Sequence, residues 1–131
     1  WKPSMTIQPH NHEMWAVIGI YGGREDNIFW RRIQDDPHGH IEAAGAKALG
    51  TGDFVPLGKD IIHSVTNPIP KLTGAIHVYG GDFFEAERSE WDGGGGGRNR
   101  SFPHTAPIRR QLPQTPGHPC RPSPSSPSSS M

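Results

Sequence analysis

Short apolar, β-branched runs stop at Gly or Pro about every 8–12 residues through the first 92 positions, a rhythm that points to an all-β sandwich or barrel. Trp15-Ala-Val-Ile-Gly-Ile-Tyr21 reads as a buried strand ending at Gly22-Gly23, and Asn27–Arg32 as a second strand. Asp35-Asp-Pro-His-Gly-His40 has the residues of a loop. Ile41–Leu49 is ambiguous, because its alanines favour helix while Gly45 and Gly50 interrupt one; a short strand is the preferred reading. Phe54-Val55 lies between turns at Gly52-Asp53 and at Pro56 and Gly58. Ile61–Val65 and Leu72–Tyr79 follow as strands, closed by Asn67-Pro-Ile-Pro70 and Gly80-Gly81. Five or six strands result, with no long amphipathic helix. Trp15, Phe29 and Trp30 are expected in the core.

Charge divides the chain at the same place as composition. Residues 1–92 hold all thirteen acids against eight Lys and Arg, a net −5, whereas 93–131 has five Arg and no acid. Gly, Pro and Ser fill 21 of those 39 last positions, too little to bury to offset the entropy of ordering the backbone. The expected organisation is a core over 1–92, a hinge at Gly93–Gly97 and a disordered tail. The scattered arginines lack the aromatic interleaving of a nucleic-acid site, so no nucleic-acid partner is expected. Cys120 stands alone, which excludes a disulfide framework and suggests a cytoplasmic setting. No apolar run reaches membrane-spanning length and no signal peptide is visible, so no membrane partner is expected either. The chain opens on Trp1 almost directly into a strand pattern and reads as a domain entered partway.

His10-Asn-His12 carries the most chemistry. On a strand, residues i and i+2 project to one face, so both imidazoles can reach one ion. His63, among Ile61, Ile62 and Val65, has no obvious polar partner nearby in sequence and is the best third ligand. Three histidines would leave open positions on the metal. His38 and His40 form a second His-x-His pair, but their turn-rich surroundings read as a solvated loop.

These residues lie in a pattern that resembles the cupin superfamily. Gly52-Asp53, Pro56, Gly58, His63 and Asn67 resemble its second motif, with Pro56 and Gly58 two places early. His10, His12 and Gly19 resemble the first motif, whose Glu is replaced by Ala16, while Glu13 faces away. Three histidines without a carboxylate are the ligand set of the thiol dioxygenases, the branch that includes cysteine dioxygenase. His10-x-His12, Trp15, Ile18-Gly19 and Gly22 look like that branch's first-motif strand. Ala75-Ile-His-Val-Tyr79 looks like its late Ser-x-His-x-Tyr strand, with Ala75 in place of Ser. The likeness covers about residues 9–83.

The resemblance implies a double-stranded β-helix, incomplete at its N-terminus, holding Fe(2+) through His10, His12 and His63. It implies Tyr79 and His77 as catalytic residues, and a small thiol and O₂ as substrates of sulfinate formation. A His-only set leaves the metal its full 2+ charge, which favours an anionic thiolate. The protein is expected as a monomer or weak homodimer. Taken without the resemblance, His77 and Tyr79 fit a core histidine and a packing aromatic as well. The family's crosslinking Cys, near Ala16, is absent. Its substrate-anchoring Arg lies upstream of His-x-His, where only nine residues stand here; Arg24 is the basic residue placed near the barrel mouth. Weak or absent turnover is therefore expected. The rival readings are a non-catalytic cupin that binds a small ligand or partner, and a truncated relic.

Overall fold

The computed structural model describes residues 1–92 and the backbone of 100–102. Among the described residues nine strands run in order: β1 (Thr6–Asn11), β2 (Ala16–Gly22), β3 (Arg24–Arg32), β4 (Ile41–Gly50), β5 (Phe54–Leu57), β6 (Ile62–Thr66), β7 (Gly74–Tyr79), β8 (Arg88–Glu90) and β9 (Arg100–Phe102). All pairings are antiparallel, in a six-stranded sheet ordered β4-β3-β6-β1-β8-β9 and a three-stranded sheet ordered β5-β2-β7. From β4 to β8 each successive strand changes sheet, the jelly-roll-like winding of the cupin barrel expected from the sequence. No helix among the described residues is long and apolar enough to cross a membrane. Of the segment expected to be disordered, only Arg100–Phe102 is described, as a short strand on β8; the hinge and the rest lie outside the described residues.

Alternation along β2 explains the core. Ala16, Ile18 and Ile20 point inward and pack with Leu49, Val55 and Leu57 between the sheets. Ile41–Leu49 is strand along its whole length, as preferred, because β3 pairs with it from Arg24↔Gly50 to Arg32↔Ile41. Gly45 is accommodated beside a bulge between Phe29 and Trp30. Gly23 turns β2 into β3 with φ +87°, and a Cβ there would lie 2.5 Å from Thr73 Oγ1, so both backbone shape and space demand glycine.

Trp15 is not a core residue: it is 52% exposed, because its neighbour Ala16 takes the inward face. Its indole instead lies across Gly80, where a Cβ would collide with the ring. Phe29 and Trp30 are half-buried and pack against the core clusters. The outer face of the small sheet is apolar and exposed at Tyr21, Phe54, Ile76 and Val78.

The alternation makes a direct test. Ile18→Ala is expected to cost about 2–5 kcal/mol by transfer and cavity terms. Ile76→Ala, on the exposed face of the neighbouring strand, is expected to stay within about 0.5 kcal/mol. Denaturant midpoints with unchanged slope measure both; equal losses would mean that the faces are assigned wrongly.

Candidate metal centre

His10, His12 and His63 come together as the sequence suggested, and the backbone shows how. His63 sits on β6, between β1 and β3, with Cα partners His10 on one side and Phe29 on the other. The register of β1 against β6 slips between Ile7 and His10, so β1 carries one extra residue there. Pro9, which has no N–H to give to a ladder, lies in that bulge. Within it the Gln8 carbonyl accepts a hydrogen bond from His10 Nδ1 at 2.9 Å. His12 stands just beyond the strand end, and Glu13, at φ +56°, turns away to accept from Asn11 Nδ2.

The three Nε2 atoms converge. His12 Nε2 is 3.3 Å from His10 Nε2 and 3.3 Å from His63 Nε2, and one ligand atom from each ring lies within 4.8 Å of the others. His63 is not without a polar partner, as its sequence neighbours had suggested: its Nδ1 donates to Asn27 Oδ1 at 2.8 Å, from β3. His10 and His63 therefore both commit their Nδ1 proton to a carbonyl oxygen. Their Nε2 lone pairs aim at His12.

Burial keeps the rings neutral. His63 is fully buried and His12 is 3% exposed. Desolvation first, then the charge of His10, pulls His12 down to about 4. Desolvation, then His10 and His12, pulls His63 down to about 2. His10 is lowered too, chiefly by burial and against the Gln8 hydrogen bond. Three neutral imidazoles with converging nitrogens can share at most the one proton that His12 can bring. Such a cluster is rich in lone pairs and suited to a cation. Metal–imidazole bonds run about 2.0–2.1 Å, so two rings at right angles on one ion bring nitrogens roughly 3 Å apart, close to what these rings already show.

The cluster opens on a cavity of about 400 Å³, within the range of small-molecule sites. Tyr79 and His77 from β7 line it with His10 and His63. His77 Nδ1 and Tyr79 Oη are 3.1 Å apart, and the Tyr79 ring meets His12 edge-on at 5.2 Å. Burial holds the phenol above its usual value, Arg88 opposing, so its hydroxyl remains a donor at neutral pH. His77 Nε2 is buried without a hydrogen-bond partner. Ala75 shares the inward face, and Ile76 and Val78 point out, as alternation requires.

Arg88 is a cavity residue that sequence reasoning missed. It enters the cavity from β8, its guanidinium 3.7 Å over the Phe83 ring, and its Nε is buried with no hydrogen-bond partner. Burial lowers its pKa, but a guanidinium stays protonated. Its only signal in sequence is a lone Arg in the acid-rich run after Phe83-Phe84. Arg24, placed near the mouth from sequence, instead pairs with Asp26 on the surface at 2.8 Å. His38 and His40 stay in the loop between β3 and β4, where His40 Nδ1 meets Asp36 at 2.8 Å.

No protein-family model matches the chain. Solved structures similar to it include the Drosophila melanogaster CENP-C cupin domain, at 15% identity and TM-score 0.48, covering 60% of this chain and 55% of that one. Another is Drosophila melanogaster CENP-C bound to CAL1, with the same identity, TM-score and share of this chain, and 58% of that chain. The match spans a little over half the length of either.

The pKa directions set the pH response. Because folded His12 and His63 titrate below the free value of 6.5, the unfolded chain binds more protons below that pH. Stability of the metal-free protein is full above pH 6.5 and falls as pH drops through about 4 for His12 and towards about 2 for His63. The slope is up to ~1.4 kcal/mol per pH unit for each histidine. Unfolding free energies measured between pH 7 and 4.5 should show it, and His63→Gln should remove one proton from the slope. A flat profile would contradict the neutral cluster.

Proposed function

We propose that the barrel is a non-haem iron(II) thiol dioxygenase-like protein that converts a small, carboxylate-bearing thiol to its sulfinate. The balance is RS⁻ + O₂ → RSO₂⁻, with both oxygen atoms ending on sulfur. One observation carries the reading: the three-histidine cluster opens on a cavity that also presents a phenol, a fourth imidazole and a guanidinium that no carboxylate pairs among the described residues. Iron(II), held by His10, His12 and His63, would supply open positions where thiolate and O₂ meet, and the redox path between them.

The chain's own residues would do the rest. Arg88, which lines the cavity, would offer its guanidinium to a carboxylate, and the charge-assisted contact would orient the thiol towards the histidine cluster. With His77 Nδ1 donating to Tyr79 Oη, the phenolic proton is free for an oxygen atom of the reacting pair. His77 lines the same cavity. Phe83, 4.3 Å from the Tyr79 ring and stacked under Arg88, fixes both against each other and helps exclude water. The family clamp upstream of His-x-His led to an expectation of weak turnover; Arg88 reaches the cavity from downstream and would stand in for that clamp.

Oxygen uptake and sulfinate formation with 3-mercaptopropionate, cysteine and cysteamine test the reading on anaerobically iron-loaded protein. Turnover should favour the two carboxylates over cysteamine, and Arg88→Gln should raise their KM about 10- to 100-fold, the worth of a hydrogen bond to a charged group. Tyr79→Phe should lower kcat with little change in KM. Metal and ligand binding with no sulfinate from any thiol would assign the barrel to non-catalytic ligand binding instead.

A further inference from the structure

Glu25 is completely buried, and no Lys or Arg among the described residues pairs with it. Burying a carboxylate costs several kcal/mol unless its lone pairs are matched. Here two neutral donors match them. Asn27 Nδ2 donates to Glu25 Oε1 at 3.0 Å, and the Trp1 indole donates to Oε2 at 2.8 Å. Asn27 then has its carbonyl oxygen left for His63 Nδ1, at 2.8 Å. Glu25 and Asn27 are i and i+2 on β3, so both point into the barrel, and His63 stands diagonally across on β6.

We propose that Glu25 is a positioning residue for the metal centre, acting through Asn27 to fix His63 as the Nδ1–H tautomer with its Nε2 lone pair turned to the ion. This rests on the metal-binding reading of the cluster. An amide can present either end to an imidazole. With its NH₂ held by a carboxylate, Asn27 can present only oxygen, and an oxygen accepts only from an Nδ1–H ring. If the amide turned over, its NH₂ would need a lone pair at Nδ1, the proton would sit on Nε2, and the ring could not bind a metal. Carboxylate, amide and histidine thus form one polarised chain of the kind that orients metal-bound imidazoles.

The same carboxylate answers a question of charge. The ligand set has Ala16 where the first cupin motif has a glutamate, which leaves three neutral rings. Glu25 returns one negative charge to the barrel, two hydrogen bonds away from the cluster. Its field also reaches the cavity, where it opposes the lowering of His77 by burial and adds to the raising of Tyr79 by burial. Trp1 joins the two ends, since its indole holds Glu25 while its ring packs edge-on against His77 at 5.8 Å.

Two readouts besides turnover test the proposal. Long-range ¹H–¹⁵N correlation of the metal-free protein, assigned with His63→Gln, should give His63 as a single Nδ1–H tautomer. Glu25→Gln keeps the shape but offers one carbonyl where two donors need acceptance, so a mixture with Nε2–H is expected. Anaerobic titration with Fe(II) and Co(II) should show about 10- to 100-fold weaker binding in Glu25→Gln. In an Asn27→Leu background the same substitution should cost nothing further. An unchanged tautomer with unchanged affinity would overturn the proposal, as would an undiminished Glu25 effect without Asn27. Should Glu25→Gln not fold, the parent's tautomer decides: Nδ1–H supports the chain and Nε2–H overturns it. A parent that binds neither metal sinks the metal reading instead, while the tautomer still tests the chain.

Discussion

Three imidazole nitrogens within 4.8 Å of one another cannot all carry protons, and the barrel is arranged around that fact. Desolvation removes the cationic forms, and carbonyl acceptors at Gln8 and Asn27 draw the remaining proton of two rings to the far side. What is left is a knot of converging lone pairs inside a low-dielectric interior. Removing such groups from water without partners is costly. The cost is sustained because the sheet fixes His10 and His63, and His12 follows directly on the end of β1.

Strand geometry does the fixing. A bulge at Pro9 places His10 beside His63 rather than out of register, and its displaced carbonyl holds the His10 tautomer. β6 lies between β1 and β3, so His63 is flanked by His10 and by the inward face that carries Glu25 and Asn27. The small sheet closes the other side with Tyr79 and His77. β8, next to β1, brings Arg88 in from the remaining edge. Thus one wall supplies lone pairs, the second a phenol and an imidazole, and the rim a cation. A cation would meet the lone pairs, and a small anion the phenol and the guanidinium.

Much of this was legible in the sequence where side-chain type and strand period agree. His10 and His12 were found because the period of two is unambiguous, and His63 because an imidazole among aliphatic residues is conspicuous. Ala75, His77 and Tyr79 share the inward face by the same period. The residues missed are those whose polar character looks like a surface. Arg24-Glu-Asp-Asn27 is polar throughout, yet Glu25 and Asn27 are the buried members and Arg24 and Asp26 the outer ones. Only the pairing with β6 reveals which polar pair faces the core. Arg88 was hidden likewise among acids. Trp15 erred in the opposite sense: its size suggested the core, but the inward face belongs to Ala16, and the indole covers Gly80 from outside.

Metal stoichiometry tests the account most directly. Elemental analysis of protein loaded anaerobically with iron(II) and desalted should give one metal per chain, and close to none in a His12→Ala, His63→Ala double variant that still shows the parent's β-sheet circular dichroism. An equal metal content in parent and double variant would contradict the claim that these three histidines are the site.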